Sequence, residues 1–245
     1  MKRILIVSPH FDDAVASCAG KILSEPHNIF TILTVFAAEP PRTVSKFAQY
    51  LHEMVWHNSS IGAMRINENE KACARLKVCC LNAMFLDAIY RSNMHGEWIY
   101  PNNGDIFRGI KEDDLPTIKS VNEYLENMLH DFDEIIFPMG IGNHVDHSII
   151  ANIGKRIDYE YPNITVYYYQ DFSYEQDSQP IDGNYERIQY DLNPLIQNEK
   201  EISIMDYSSQ IEMLFQDASK IHQYFKDHYS KNNAFFEVYF RRRKL

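Results

Sequence analysis

The first 36 residues carry a pattern that restricts the chain to a small group of α/β folds. Residues 4–7 form a short apolar run rich in β-branched side chains, which is typical of a strand buried on both faces of a parallel sheet. Ser8 and Pro9 interrupt the run, residues 14–23 have helical apolar spacing, and residues 29–36 read as a second buried strand. A strand, a helix and a strand in succession indicate a right-handed crossover. We therefore predict a Rossmann-like, doubly wound, mainly parallel sheet with helices on both faces.

The rest of the chain continues this α/β pattern. Strands are predicted over residues 84–86, 135–138 and 164–169, and helices over residues 65–77, 121–130 and 148–157. Residues 202–225 predict one long helix or two. Residues 92–116 are polar and contain Gly and Asn, which favours a long surface loop. A chain of 245 residues with no clear interdomain linker predicts a single domain over residues 1–245.

Composition excludes several classes of function. The net charge of −10 argues against a nucleic-acid binder, because nonspecific affinity for nucleic acid rests on Lys and Arg. The one basic cluster, at residues 241–244, is predicted to be a solvated end. No stretch approaches the roughly 18 apolar residues of a membrane span, so no membrane insertion is expected. Four cysteines without a CxxC pair favour a reduced, cytoplasmic protein.

A histidine and two aspartates follow the first predicted strand directly. His10, Asp12 and Asp13 occupy the loop at the carboxyl end of this strand, where open α/β sheets bind their ligands. Histidine nitrogen and carboxylate oxygen both suit zinc. Of two adjacent carboxylates, one can bind the metal while the other takes a proton from water. The alternative is that an aspartate caps the following helix and that His10 is an ordinary loop histidine.

A second polar cluster follows the predicted strand at residues 135–138. His144, Asp146 and His147 lie at the start of a helix, after glycines that permit unusual backbone angles and close approach to a ligand. Catalytic zinc sites use about three protein ligands and leave one position open. His10, Asp13 and one of the two later histidines would supply that set. The other histidine, oriented by a carboxylate, would suit acid or oxyanion chemistry. Helix capping beside a surface histidine is the alternative here as well.

The two loops together resemble those of the PIG-L, or LmbE-like, deacetylase family. Its (A/S)-P-H-x-D-D loop is matched by residues 8–13, SPHFDD, and its G-x-G-x-H-x-D-H loop by residues 140–147, GIGNHVDH. Weaker similarities to the family extend over residues 65–76, 86–91, 169–174 and 207–210. Their order along the chain is also that of the family.

The resemblance implies a role for each matching residue. The zinc ligands would be His10, Asp13 and His147, with one Zn²⁺ per chain, although another divalent metal could serve. Asp12 would be the general base. His144, paired with Asp146, would stabilise the oxyanion.

The substrate side of the resemblance rests on fewer residues. Arg65 would contact the polar substrate. Phe11 stands where the family often has proline, and it could narrow the pocket or stack on a sugar. Ala14, Val145 and Lys77 are further departures from the family pattern, and none of them removes a ligand.

These observations lead to a functional hypothesis with two alternatives. The resemblance implies a zinc-dependent hydrolase that removes an N-acetyl group from an N-acetylglucosamine-type sugar or glycoconjugate. The expected partner is a small-molecule N-acetylated sugar, and a homo-oligomer is possible. One alternative is a metallohydrolase that acts on another amide or on a phosphoester. The chain has neither G-x-G-x-x-G nor a Walker A pattern, which disfavours phosphate chemistry. The other alternative is a non-catalytic binding module of the same fold.

Overall fold

The computed structural model describes residues 1–56, 61–174 and 182–243. Within these segments the strands are β1 (Arg3–Ser8), β2 (Ile29–Thr34), β3 (Cys79–Asn82), β4 (Glu134–Pro138), β5 (Thr165–Tyr169), β6 (Tyr185–Leu192), β7 (Ser230–Lys231) and β8 (Ala234–Arg242). The α-helices are α1 (Asp13–Ser24), α2 (Lys46–Tyr50), α3 (Ile61–Leu76), α4 (Leu115–Glu126), α5 (Val145–Glu160), α6 (Pro194–Met205), α7 (Ser208–Phe215) and α8 (Ile221–His228). A π-helix over Leu51–Val55 directly continues α2.

The strands form a mixed sheet with the order β3-β2-β1-β4-β5-β8-β6, and β7 pairs with β8 at its end. Strands β1 to β5 run parallel, whereas β8 is antiparallel to both β5 and β6. From β1 the chain first builds outward to β2 and β3, and later returns to the other side of β1 with β4. The sheet therefore reverses its strand order between β1 and β4, which is where this class of fold places its ligands.

Alternating residues of β1 pack into two separate cores. Ile4 and Ile6 belong to a cluster with apolar residues of α1, α3, α6, α7 and α8, whereas Leu5 and Val7 belong to a cluster with residues of α4 and α5. A strand points successive side chains to opposite faces, so both faces of the sheet are covered. The predicted α/β class with helices on both faces is confirmed. No α-helix in the described part of the chain is both long and apolar enough to cross a membrane.

Two of the predicted elements are wrong. The strand expected at residues 84–86 is β3, at Cys79–Asn82, and Met84 makes only an isolated bridge to Phe36. The region predicted as one or two helices over residues 202–225 contains three, beginning with α6 at Pro194. Asn193 caps α6 with its side chain, and Gln216, with a φ of 67°, follows the last residue of α7.

Strands β6 and β8 were not predicted. β6 is largely exposed, so it lacks the apolar run that identifies a buried strand. Arg241 and Arg242 lie in β8 rather than in a solvated end, and Nε of Arg242 is 3.1 Å from Oδ2 of Asp158. Lys244, the last residue of the basic cluster, lies outside the described residues.

A buried carboxylate joins the antiparallel part of the sheet to two helices. Glu237 of β8 is 2% exposed and accepts hydrogen bonds from the backbone N–H groups of Gly20 and Lys21 in α1. It also accepts from Nζ of Lys200 in α6, at 2.7 Å, and from the hydroxyl of Tyr239. Lys200 is equally buried, so its ammonium group depends on this carboxylate.

Replacement of Glu237 by Ala should destabilise the fold, because it leaves the Lys200 ammonium group buried without its partner. We expect the free energy of unfolding, measured by urea denaturation, to fall by about 3–5 kcal/mol. The matched control is Glu186→Ala on exposed β6, which should change it by less than about 0.5 kcal/mol. Equal losses in the two variants would contradict the role of the buried pair.

Candidate metal centre

The two polar loops meet because their strands are neighbours. β1 and β4 pair in parallel, with Ile4 opposite Glu134 and Ile6 opposite Ile136. Both strands therefore end at the same edge of the sheet; residues 10–13 begin two positions after β1, and residues 144–147 lie at the far end of the loop that follows β4. The structure thus brings together the two clusters that lie more than 130 residues apart in the sequence.

The first loop is shaped by hydrogen bonds among its own residues. The hydroxyl of Ser8 donates to the carbonyl of His10 and accepts from the N–H of Ala14. The N–H of His10 donates to Oδ2 of Asp13 at 2.7 Å. Asp12 occupies the N-cap position of α1, but its side chain makes no capping hydrogen bond. Its carboxylate is therefore not used as a cap and lies in the wall of the cavity described below.

The side chains of His10, Asp13 and His147 converge on one another. Oδ2 of Asp13 is 3.3 Å from Nδ1 of His10 and 3.3 Å from Nε2 of His147. One nitrogen or oxygen atom from each of these three residues lies within 4.8 Å of the others, which is compact enough to surround one metal ion. His10, His144 and Asp146 form a second group, whose ligand atoms also lie within 4.8 Å of one another, and the two groups share His10.

Hydrogen bonds distinguish the two groups. Nδ1 of His147 is 2.7 Å from Oδ1 of Asp171, which leaves Nε2 directed at Asp13. A carboxylate on the far nitrogen is the usual partner of a metal-binding histidine. His144 caps α5, and its Nδ1 accepts from the N–H of Asp146. The group of His10, Asp13 and His147 is therefore better prepared to bind a metal.

Asp171 is a residue that the sequence analysis did not select. It is fully buried just after β5, and its Oδ2 accepts the N–H groups of Gly140 and Ile141 while its Oδ1 faces His147. One carboxylate thus orients the histidine and also fixes the glycine loop after β4. The only signal in the sequence was the weak similarity at residues 169–174.

Arg91 was also missed. Its guanidinium group is 2.6 Å from Oδ1 of Asp146 and 2.9 Å from Oδ2 of Asp114, and all three side chains are buried. The other oxygen of Asp146 accepts the N–H of Ala88 and lies 3.1 Å from Nε2 of His10. Asp146 is therefore held between a buried cation and the first polar loop.

The buried charges shift one another's pKa values. Burial alone would lower the pKa of His147, but the carboxylates of Asp13 and Asp171 outweigh it and raise this pKa to about 10. Burial also opposes ionisation of Asp13, yet His147 and His10 hold its pKa well below the ordinary value. Burial and the charge of His10 lower the pKa of His144 to about 3, so His144 is neutral at pH 7.

Arg65 lies beside Asp12, with its Nη2 3.4 Å from Oδ1 of that residue. Its guanidinium carbon is 5.2 Å from the ring centre of Phe11 and 5.6 Å from that of Trp56. Phe11 is 4% exposed and belongs to the core, whereas Arg65 and Trp56 line the cavity. Phe11 therefore packs against the guanidinium group and is not part of the described cavity wall.

A cavity opens directly above these groups. It encloses about 870 Å³ of empty space, counting the part open to solvent. Asn103, Ile106 and Phe107 line it and come from the segment predicted as a surface loop. That prediction was incomplete, because Tyr100 in the same segment is fully buried. The segment is a packed part of the site.

Comparison with known proteins agrees with this site. Residues 5–157 match the family described as PIG-L: GlcNAc-PI de-N-acetylase. The chain is 28% identical over 236 residues to 2'-N-acetylparomamine deacetylase of Niallia circulans, a match that spans 87% of this chain and 82% of the relative.

Solved structures share the fold. The chain superposes on the deacetylase of the teicoplanin biosynthesis pathway with a TM-score of 0.85 and 22% identity, over 99% of both chains. It superposes on an antimicrobial pseudoaglycone deacetylase with a TM-score of 0.76 and 23% identity, over 98% of this chain and 96% of the other.

The matched region covers more than half of the 245 residues, so the chain belongs to the PIG-L family of de-N-acetylases. The resemblance noted from the two loops is confirmed at the level of the family. Together with the His/Asp centre, this membership makes the protein a metal-dependent N-deacetylase.

Replacement of Asp171 by Asn should weaken metal binding without unfolding the protein. Asparagine keeps the size of the side chain but loses the charge that orients and polarises His147, so we expect affinity for a divalent metal to fall about 10–100-fold. Competition with a chelator measures this change. Asp113→Asn, at an exposed position, is the control and should have no effect. Unchanged affinity in the Asp171 variant would argue against His147 as a ligand.

Proposed function

We propose that the protein is a zinc-dependent hydrolase that removes the N-acetyl group from an N-acetylglucosamine-type sugar or glycoconjugate and releases acetate. The observation that carries this proposal is the convergence of His10, Asp13 and His147 within 4.8 Å at the ends of β1 and β4. The deacetylase activity of the Niallia circulans relative supports the reaction.

Zinc fits the residues of this centre. Two imidazoles and one carboxylate form a donor set that catalytic zinc sites commonly use, and we propose one Zn²⁺ per chain at His10, Asp13 and His147. Another divalent metal could bind to the same donors. When bound, zinc would act as a Lewis acid that polarises the acetyl carbonyl and makes the attacking water more acidic.

Asp12 is the proposed general base. It adjoins the ligand Asp13, lines the cavity and makes no capping bond, so its carboxylate is available to the reacting water. Nη2 of Arg65 lies 3.4 Å from Oδ1 of Asp12, so the ion pair between the two side chains is a long one. Asp12 would take one proton from the water as the new carbon–oxygen bond forms.

His144 is the proposed oxyanion stabiliser. Because its Nδ1 accepts the N–H of Asp146, the neutral ring carries its hydrogen on Nε2. This N–H would donate to the carbonyl oxygen as negative charge develops there. The backbone N–H of Asp146 thereby orients the ring of His144, while the side chain of Asp146 is held by Arg91. The carbon–nitrogen bond would then break, Asp12 would return the proton that it took from the water to the leaving nitrogen, and acetate would be the second product.

The remaining assignments concern the substrate and the setting. Arg65 would bind polar groups of the sugar, with Phe11 acting through Arg65 and not by direct contact. A cytoplasmic location is proposed from the cysteine pattern, and all four cysteines are free in the structure. A homo-oligomer is compatible with these features.

The direct test of the function is release of a free amine from N-acetylglucosaminyl compounds by metal-loaded protein. The panel includes simple glycosides and N-acetylated aminoglycoside and glycopeptide intermediates. Asp12→Ala should lower turnover about 10²–10⁴-fold because the water loses its base. Metal content, measured by elemental analysis, should stay at one per chain.

Two outcomes would overturn these assignments. No amine release from any compound by metal-loaded wild-type protein would overturn the deacetylase function. Loss of metal from the Asp12 variant would overturn the division of roles between Asp12 and Asp13.

His144→Ala should affect catalysis more than substrate binding. Removal of one oxyanion donor costs about 10²–10³-fold in kcat, because the bond forms fully only in the transition state. Steady-state kinetics with a turned-over glycoside measure this change, and metal content serves as the control. A rise in KM with unchanged kcat would show that His144 binds the ground state instead.

A further inference from the structure

We propose that the natural substrate carries an apolar aglycone, an aryl group above all, on the carbon next to the one that bears the acetamido group. The aglycone binds an apolar rim formed by Leu51, Trp56, Phe107, Met213 and Leu214. This inference rests on the proposed function and specifies its substrate class.

The cavity lining contains a charged group and an apolar group of side chains. The charged floor consists of His10, Asp12, Asp13, His144 and His147, which are buried or nearly so. The residues of the apolar rim line the same cavity, and two of them are exposed, Phe107 at 37% and Met213 at 52%. Apolar side chains that stay exposed beside a polar site are a mark of ligand recognition.

The apolar rim is assembled from three segments that are distant in sequence. Leu51 and Trp56 lie at the two ends of the π-helical stretch, Phe107 comes from the segment before α4, and Met213 and Leu214 come from α7. π-Helical turns are rare and frequently occur at functional sites. The ring centre of Phe107 is 5.4 Å from that of His144, so the rim directly adjoins the floor.

The covalent structure of an amino sugar matches this division. In a 2-acetamido sugar the aglycone is attached through oxygen to C1, the immediate neighbour of the carbon that bears the amide. When the acetamido group lies on the charged floor, the aglycone must therefore lie within a few bonds of it. The apolar rim occupies that position, and an aryl ring there would bury apolar surface against it.

The apolar rim offers no charged partner to a polycationic aglycone. Arg65 is the only Lys or Arg among the described residues that line the cavity. Each lining carboxylate lies within 4 Å of a basic side chain of the floor or of Arg65: Asp12 faces Arg65, Asp13 lies between His10 and His147, and Asp87 faces His10. No carboxylate of the described rim remains to receive the ammonium groups of an aminocyclitol. An apolar, uncharged aglycone has no such requirement.

A long N-acyl chain is a less suitable occupant of the rim. The acyl group is attached to the carbonyl carbon, which lies on the charged floor during the reaction. A chain that starts there would first have to pass polar side chains, whose desolvation is costly. The exposed position of Phe107 and Met213 suits a group that enters from the mouth of the cavity.

The test compares the methyl and phenyl glycosides of N-acetylglucosamine with metal-loaded protein. The wild type should show a kcat/KM at least about 10-fold higher for the phenyl glycoside, equivalent to about 1.4 kcal/mol. Phe107→Ala and Met213→Gln should each bring this ratio towards one. A ratio taken within one variant cancels any general effect of Phe107 on His144. Met94→Ala, 92% exposed and outside the described cavity lining, is the control and should keep the ratio.

A binding measurement separates failure of this inference from failure of the proposed function. Trp98→Phe leaves Trp56 as the only tryptophan, so the fluorescence of this variant reports on the rim. The phenyl glycoside should change it at lower concentration than the methyl glycoside. This difference without any turnover would keep the aglycone site and overturn the deacetylase reaction.

The remaining outcomes overturn the aglycone site. The first is an equal kcat/KM for the methyl and phenyl glycosides of N-acetylglucosamine. The second is a higher kcat/KM for the methyl glycoside of N-octanoylglucosamine than for the phenyl glycoside, and the third is a higher kcat/KM for an N-acetylated aminocyclitol glycoside than for the phenyl glycoside.

Discussion

The parallel pairing of β1 with β4 is the constraint on which the site depends. It places two loops from distant parts of the sequence at one edge of the sheet, so that His10 and Asp13 face His147. β2 and β3 lie between β1 and β4 in the sequence and on the other side of β1 in the sheet. The apolar core on each face of the sheet contains residues of both β1 and β4 and holds these two strands in register. Without this adjacency the two motifs would remain separate helix starts, which is the structural alternative considered for each of them.

The site also requires that each of its buried charged groups has a partner. Imidazoles and carboxylates would be costly to desolvate singly, so each is surrounded by groups of opposite charge or by hydrogen-bond donors. Asp171 and Arg91 also offset buried charge, and each contacts a residue of the His/Asp centre without belonging to it. Asp171 contacts His147 and the glycine loop after β4. Arg91 pairs with both Asp146 and Asp114 and thereby connects residues 92–116 to the centre. Asp171 and Arg91 therefore fix the positions of the groups that face the cavity.

The sequence predicted the parallel half of the fold better than the antiparallel half. β1, β2, β4 and β5 are buried on both faces, and continuous apolar runs identify such strands without knowledge of their neighbours. β6 lies at an edge and is mostly exposed, so its strand character depends on pairing with β8. The three helices from Pro194 to His228 are separated by local breaks that helical periodicity alone did not reveal. Pairing with a distant strand decided β6, whereas a local cap at Asn193 and a local break at Gln216 set the ends of α6 and α7.

By itself the sequence determined the chemistry that the site can perform. His10, Asp12, Asp13, His144 and His147 are recognisable because each cluster is local, directly after a strand. Tertiary structure alone decided how these groups are held and what surrounds them. Contacts made by Asp171, Arg91 and Phe107 join residues that are 24 to 55 positions apart, and no local pattern encodes such contacts. Side-chain chemistry is a property of single residues, whereas orientation and cavity shape arise only when distant segments pack together.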